Sequence, residues 1–200
     1  HMIYALIRIA SRRIDNSIHF SLPKGYNGIY IGIPGKQADQ DPRLAAIAEI
    51  FAGTPVTLHL SDDILLDIWD KFGLNVSRNL PQAILGVGIG AYDDSTYVDA
   101  IMRQMRHEVV LVANAKGIPL KEEFQAGKWL PTQRYSTLQD LDAHRHTEID
   151  MFSGALVRMG KELGIACPYN EMTYNLIKAL EEKNDGKFDY ERDLACHSRG

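Results

Sequence analysis

Ile64-Leu65-Leu66-Asp67-Ile68-Trp69-Asp70-Lys71-Phe72-Gly73-Leu74-Asn75-Val76-Ser77-Arg78-Asn79 is an apolar run in which Lys71, Asn75 and Asn79 recur every four residues. On an α-helix, positions i, i+4 and i+8 advance roughly 6 Å per step and drift about 40° around the axis each time. One ammonium and two amides would then line a single stripe, with Trp69, Phe72 and Val76 beside it on the face that packs. Asn is a poor mid-helix residue because its amide competes with the backbone. Two of them in one apolar helix require a reason. A polar ligand that takes a cation and several amide hydrogen bonds is one reason. The other is structural: Lys71 carries its ammonium out to water, and the asparagines cap or face solvent. The spacing alone leaves both open.

Upstream of this run the chain reads as strands. Ile3 to Ala10 is short and apolar, Ser17 to Leu22 alternates Ile18 and Phe20 with polar neighbours, and Gly28 to Ile33 is a third run bounded by Gly25 and Pro34. Asp41-Pro42 opens a helix with Asp at the cap and Pro at its first position, and Leu44, Ile47, Ala48 and Phe51 form its apolar stripe. Gly53-Thr54-Pro55 stops it, and Val56 to Leu60 returns as a strand. Ser61-Asp62-Asp63 then starts the helix of the opening run, with acids where the macrodipole favours them.

Downstream, only helices are predicted. Asp94 or Ser95 caps a long one carrying Val98, Ile101, Met102, Met105, Val109 and Val112, and Gly117 ends it. Shorter helices are expected over Leu120 to Ala126 and over Ser136 to Ala143, with Ser136 as the N-cap. A longer one is expected over Thr147 to Leu163, and Asn170 is expected to cap the last, with Leu176, Ile177 and Leu180 on its face. The change of character near residue 61 divides the chain into residues 1–60 and 61–200. Three or four strands with one helix would leave an edge that proteins normally cover. The first section therefore reads as the last part of a larger α/β sheet.

Composition narrows the function classes. The 200 residues are 45% hydrophobic and 24% charged, with a net charge of −4 and both signs interspersed. This carries no electrostatic footprint for nucleic acid, since the basic residues cluster only at Arg12-Arg13. No apolar stretch reaches the roughly 18 residues a membrane helix needs, and no signal peptide is visible. His1-Met2 reads as the scar of a cleaved tag. Cys167 and Cys196 show no CxxC pattern, which suits a reducing cytoplasm and carries no metal signal.

Three further features invite chemistry. Glu148, in Arg145-His146-Thr147-Glu148-Ile149-Asp150, reads most simply as a macrodipole partner in a first helical turn. His144 and His146 form an H-x-H pair, but i and i+2 on a helix point to different faces, so a surface pair is expected rather than a metal site. Gly86-Val87-Gly88-Ile89-Gly90-Ala91 matches the G-x-G-x-x-A of a dinucleotide loop. A true site follows a strand and opens directly into a helix. Here the motif trails a helix and Pro81, so it reads as a flexible helix–helix connection. No Walker-type loop and no Ser-His-Asp order signal is present.

Taken together, the segments resemble one family. Trp69 to Asn79 resembles the W-x-K-[LF]-x-x-N-x-x-x-N helix of ketopantoate reductases (2-dehydropantoate 2-reductases). Ser136-Thr137-Leu138-Gln139-Asp140-Leu141 followed by Arg145 to Asp150 resembles the family's S-[MT]-L-Q-D…R-x-T-E-I-D signature. Glu108 to Gly117, and Gly154 through Gly160 and Gly164 to Pro168-Tyr169-Asn170, resemble further helices of its C-terminal domain. Together these span essentially the whole chain.

The resemblance implies an α+β fragment: the last strands of a Rossmann-type sheet, to about Leu60, followed by an all-α C-terminal domain that binds substrate and can dimerise. The implied enzyme is a two-domain NADPH-dependent 2-oxo acid reductase with its active site between the domains. Its glycine fingerprint is not in this sequence. Lys71 falls on the family's general acid, and Asn75, Asn79 and Ser136 fall on ligands of the 2-oxo acid. Glu148 falls on a catalytic residue near the cofactor ribose, and Ser11 falls near a small cofactor-contacting residue. Ile89 replaces a further substrate-binding asparagine of some members, and Leu80-Pro81 replaces their N-P-L order, so the identity of the oxo acid stays open. The chemistry suits these residues: a lysine polarises a ketone and donates the proton, while amides bind carboxylate and hydroxyl without competing charge. The expected partners are a small 2-oxo acid and a second copy of the chain, not nucleic acid or membrane. The alternative reading is a non-catalytic helical self-association domain, with the face of Val98, Ile101, Met102 and Met105 as an interface.

Overall fold

Strand β4 (Gly28–Gly32) is the centre of a three-stranded mixed sheet, antiparallel to β1 (Tyr4–Arg8) and parallel to β5 (Leu58–Leu60). A computed structural model describes residues 2–9, 11–20, 27–124 and 130–190, and within it the side chains of residues 11–14 and 20 lie outside the description. The chain divides into two compact units, His1–Asp70 and Lys71–Gly200.

In the first unit, β2 (Ser11–Ile14) and β3 (Ser17–Phe20) form a separate hairpin whose turn places Asp15 at a positive φ of 52°. Ile31 and Ile33 of the β4 stretch pack against Leu44 of α1 (Pro42–Phe51) to make the core of this unit. Helix α1 starts as its sequence foretold. Asp41 accepts from the Arg43 backbone N–H at 3.2 Å, with Pro42 in the first position. The Arg43 guanidinium beside Asp41 holds its carboxyl well below the usual carboxylate range, against the opposing pull of burial. Gly32 is needed for close approach, because a Cβ there would lie 2.7 Å from the Cβ of Ile64. Buried Arg8 lies over the Tyr30 ring at 5.5 Å and donates to the Asp67 carbonyl at 3.0 Å and the Asp70 carboxylate at 3.3 Å. The strand expected over Val56 to Leu60 is shorter than read, and a strand over Ser11–Ile14 was not anticipated.

Helix α2 (Ile64–Leu74) runs into a π-helical turn (Asn75–Asn79) and on into α3 (Leu80–Leu85). The second unit continues with α4 (Ala91–Asp94), α5 (Thr96–Ala115), α6 (Ser136–Asp142), α7 (Ser153–Leu163) and α8 (Pro168–Asn184). Helix α5 is central and packs on the π turn, α7 and α8. Its buried Met102, Met105, Val109 and Val112 repeat at helical spacing. Ser95 caps it, accepting from Val98 N at 3.4 Å, and Gly117 at φ 81° ends it. Gly73 lets Arg106 pack close where α2 meets α5, since a Cβ would lie 2.1 Å from its Nη1 and the buried guanidinium would have to shift.

Several expected elements differ. Residues 120–124 are irregular rather than helical, and residues 125–129 lie outside the described residues. The Leu120 carbonyl accepts from Asn114 Nδ2 at 3.1 Å, and the Lys121 carbonyl accepts from the Arg106 guanidinium at 2.7 Å. Side chains of α5 thus take the carbonyls a helix would use. The helix expected from Thr147 starts only at Ser153, after turns over Thr147 to Phe152. Ser136 is the first helical residue of α6 rather than its cap, which is Tyr135. Asn170 lies inside the first turn of α8 rather than at its cap. That turn is closed by Glu108 of α5, whose carboxylate accepts from Tyr169 N at 2.9 Å, Asn170 N at 3.0 Å and Asn170 Nδ2 at 2.6 Å.

Candidate functional site

The stripe of Lys71, Asn75 and Asn79 does not lie on a plain α-helix. Pro81 has no N–H for the Ser77 carbonyl four residues back, and its ring would clash there. Widening the preceding turn to i→i+5 bonding relieves that clash, and Asn75–Asn79 adopts this form. Two side chains support the widened turn. Ser77 Oγ donates to the Gly73 carbonyl at 2.6 Å. The Tyr92 hydroxyl donates to the Arg78 carbonyl, and the Gln82 backbone N–H bonds to its oxygen. A side chain is thereby inserted into the helical ladder. Burial pushes the Tyr92 phenol well above its usual value.

Lys71 is half-buried in the last turn of α2, and Asn75 and Asn79 bracket the π turn. Asn79 is only 4% exposed, and its Nδ2 donates to Asn75 Oδ1 at 3.4 Å. The Oδ1 of Asn79 is buried without a hydrogen-bond partner among the described residues. A buried amide oxygen left unmatched is costly. The π turn therefore joins the two amides and leaves one strong acceptor for a donor from elsewhere.

Helix α6 packs against the π turn and α3. It brings Ser136, exposed in its first position, to this side of the unit, and no side chain caps the helix. The approach to Ser136 is anchored by Gln82, which is fully buried on α3. Its Nε2 donates to the Gln133 carbonyl at 3.0 Å, and its Oε1 accepts from Tyr135 N at 2.7 Å. Arg78 places its guanidinium 4.5 Å from the Phe124 ring centroid and 6.0 Å from that of Tyr92. Burial raises the Tyr135 phenol above its usual value, with Arg78 opposing.

Glu148 is exposed in the turns before α7 rather than in a helical first turn, so the macrodipole role expected for it does not hold. The preceding residue is fixed: Thr147 donates from its N–H and its hydroxyl to Glu181 Oε1, each at 2.7 Å. Burial lifts the Glu181 carboxyl, but the Lys178 ammonium at 2.8 Å and the Thr147 donors outweigh it and hold the group below its usual value. His146 meets Asp185 at 2.9 Å, and His144 adopts a positive φ of 53°. Among the described residues, no group of three or more His, Cys, Asp or Glu side chains is placed to hold a metal ion. Ser11 pairs through its backbone with Phe20, and its side chain lies outside the described residues, as does Cys196. Burial pushes the Cys167 thiol up to about 11, with Glu108 and Glu171 adding to the shift.

The glycines of Gly86–Ala91 serve packing. Gly86 ends α3 at φ 68°. A Cβ at Gly88 would meet the Pro131 carbonyl oxygen at 2.3 Å, and one at Gly90 would meet Pro131 Cβ at 2.8 Å. Gly90 N donates to the Pro131 carbonyl at 2.9 Å and Ile89 N to that of Gln133 at 3.0 Å. The connection is tied down by backbone bonds rather than slack. Sequence reasoning missed Gln82, Arg78, Tyr92 and the capping carboxylate of Glu108. Their partners are far away in the chain, and only the oddity of Pro81 inside an apolar helix hinted at the π turn.

Residues 63–181 match the family model for the C terminus of ketopantoate reductase PanE/ApbA. A 2-dehydropantoate 2-reductase of Pyrobaculum aerophilum is 32% identical over 143 residues, covering 69% of this chain and 51% of that protein. The solved PanE/ApbA family ketopantoate reductase from Ralstonia eutropha JMP134 superposes with a TM-score of 0.77 at 28% identity, covering 92% of this chain and 60% of the other. A ternary structure of D-mandelate dehydrogenase with NADH and anilino(oxo)acetate superposes with a TM-score of 0.69 at 26% identity, covering 80% and 69%. The chain spans about half the length of the curated relatives it matches. Among the described residues, no helix is long and apolar enough to cross a membrane.

Proposed function

The chain belongs to the ketopantoate reductase family, and from that membership we propose that it carries the substrate half of an NADPH-dependent reductase of 2-dehydropantoate or a related 2-oxo acid. The observation that carries this reading is the π turn. It joins Asn75 to Asn79 one helical turn beyond Lys71 and buries an Asn79 oxygen that awaits a donor. A substrate hydroxyl is such a donor, while a substrate carboxylate accepts from an amide N–H of the pair. In this proposal Lys71 polarises the ketone oxygen and delivers the proton to it as the alkoxide forms. Asn75, Asn79 and Ser136 hold the carboxylate and hydroxyl groups. Glu148 orients the reacting groups from the turn before α7.

The Gly86–Ala91 stretch does not fit a dinucleotide. In the G-x-G-x-x-A stretch, Pro131 closes on Gly88 and Gly90, where a dinucleotide would need open backbone. The seat of NADPH is therefore assigned to the part of the relatives' length that this chain does not span, with the sheet around β4 as the last strands of that Rossmann-type domain. Ser11 is proposed to contact the cofactor from this chain's side of that seat. The 200-residue chain alone is inactive in this proposal, and calorimetry is expected to show no NADPH binding to it. Tight binding would overturn the assignment.

Lys71→Ala in the whole reductase is expected to cost at least ~100-fold in turnover while NADPH binding is kept. Unchanged turnover removes Lys71 from the mechanism. Self-association through the helical unit is proposed alongside, since Tyr169, Met172 and Leu176 of α8 are 45%, 65% and 40% exposed at i, i+3 and i+7. Light scattering tests it.

A further inference from the structure

We propose that Gln82 is a positioning residue that latches Ser136 to the π turn and so sets the width of the substrate pocket. The inference rests on the reading of Ser136 and the two asparagines as oxo-acid ligands. Gln82 is 0% exposed, yet among the described residues its amide makes no bond to another side chain. Both ends go to one strand of irregular backbone: Nε2 donates to the Gln133 carbonyl at 3.0 Å, and Oε1 accepts from Tyr135 N at 2.7 Å. The next residue is Ser136, at the first position of α6. Gln82 itself lies three residues beyond Asn79, and its own backbone N–H is bound by the Tyr92 hydroxyl that props the π turn.

One residue thus touches the end of the asparagine turn through its backbone and the start of the serine helix through its side chain. The linkage is short and has few free torsions. A shift of the Asn79 end of the turn carries the Gln82 Cα with it, and the two amide bonds pass that shift to Tyr135 and on to Ser136. Among the described residues, no side-chain cap holds the start of α6 in their place. Ile89 N also donates to the Gln133 carbonyl at 3.0 Å and Gln139 Nε2 to the Arg134 carbonyl at 2.7 Å, but the Tyr135 N–H bonds to Gln82, so neither of these bonds replaces the latch at the residue before Ser136.

The test compares Gln82→Met, which keeps the volume and removes both bonds, with Gln82→Glu, which keeps only the acceptor for Tyr135 N. In the whole reductase, Gln82→Met is expected to raise KM for the oxo acid roughly tenfold with KM for NADPH unchanged, and Gln82→Glu to recover part of the loss. Amide exchange at Tyr135 and Ser136 is expected to quicken on the order of tenfold in Gln82→Met, with α5 amides unaffected. Equal loss in KM for both substrates, or no change in either KM, overturns the latch. Unchanged exchange at Tyr135 overturns it as well. If the unaltered enzyme reduces no 2-oxo acid, the functional reading falls, and the exchange comparison still decides whether Gln82 holds Ser136 in place.

Discussion

The first turn of α8 is closed from outside by the Glu108 carboxylate, which meets two backbone N–H groups and the Asn170 amide, and Asn170 is fully buried. The first turn of α6 has no side-chain cap and presents Ser136 exposed at its first position. Both helices begin with the same unmet need, since the first N–H groups of any helix lack partners inside it. One start is sealed within the core, where an unbonded donor would be costly. The other is held a residue earlier, at Tyr135, and leaves its serine available. The contrast separates a helix end that serves stability from one proposed to serve a ligand.

The largest break in that contrast is expected at the sealed end. Glu108→Ala strands the Tyr169 and Asn170 donors in a dry site and is expected to destabilise the unit by about 3 kcal/mol, read from denaturant unfolding. A loss below about 1 kcal/mol would show that water reaches the turn. At the open end, Ser136→Ala is expected to leave stability within about 0.5 kcal/mol while raising KM for the oxo acid several-fold in the whole reductase, on the order of one hydrogen bond. A stability loss as large as that of Glu108→Ala would make Ser136 a structural residue after all.

Acid sharpens the comparison at a third point. The Glu181 carboxyl sits below its usual value of 4.5 because Lys178 and Thr147 together outweigh its burial. Its contribution is therefore complete above pH 4.5 and lost as the pH falls below that value. Glu181→Gln is expected to flatten this acid limb, and Thr147 beside Glu148 is the backbone expected to loosen first. Unfolding curves collected between pH 3 and pH 6 check the sign, and an unchanged acid limb would refute it.

What could be read in advance follows the reach of each signal. Asp41-Pro42 and Ser95 announced their helices because a cap and its target lie within three residues. Gly117 announced an end for the same reason. Glu108 gave no such notice, since its partners are 61 and 62 residues away. The helix expected over Thr147 to Leu163 does not start at Thr147, because Glu181 claims both its N–H and its hydroxyl from α8. In the candidate site, Lys71, Asn75 and Asn79 stood out because asparagine is disfavoured inside an apolar helix. Gln82 did not, because glutamine is an ordinary helix former and its backbone partners lie 51 and 53 residues on. The family resemblance drawn from the lysine and serine motifs is borne out by the match over residues 63–181.

The π turn also acts on phase. Each residue of an α-helix advances the chain about 100° around the axis. One extra residue in a single turn rotates everything after Asn79 relative to everything before Asn75 by about that amount. Leu80, Pro81 and Gln82 are buried together on the far side of that turn, whereas Lys71 before it is only half-buried. Removing one residue between Asn75 and Asn79 would keep Lys71, both asparagines and Gln82 in the sequence. It would nonetheless swing Gln82 away from Tyr135 and turn a different face of α3 toward α6. The count of residues in this turn, as much as their identity, specifies which groups face each other.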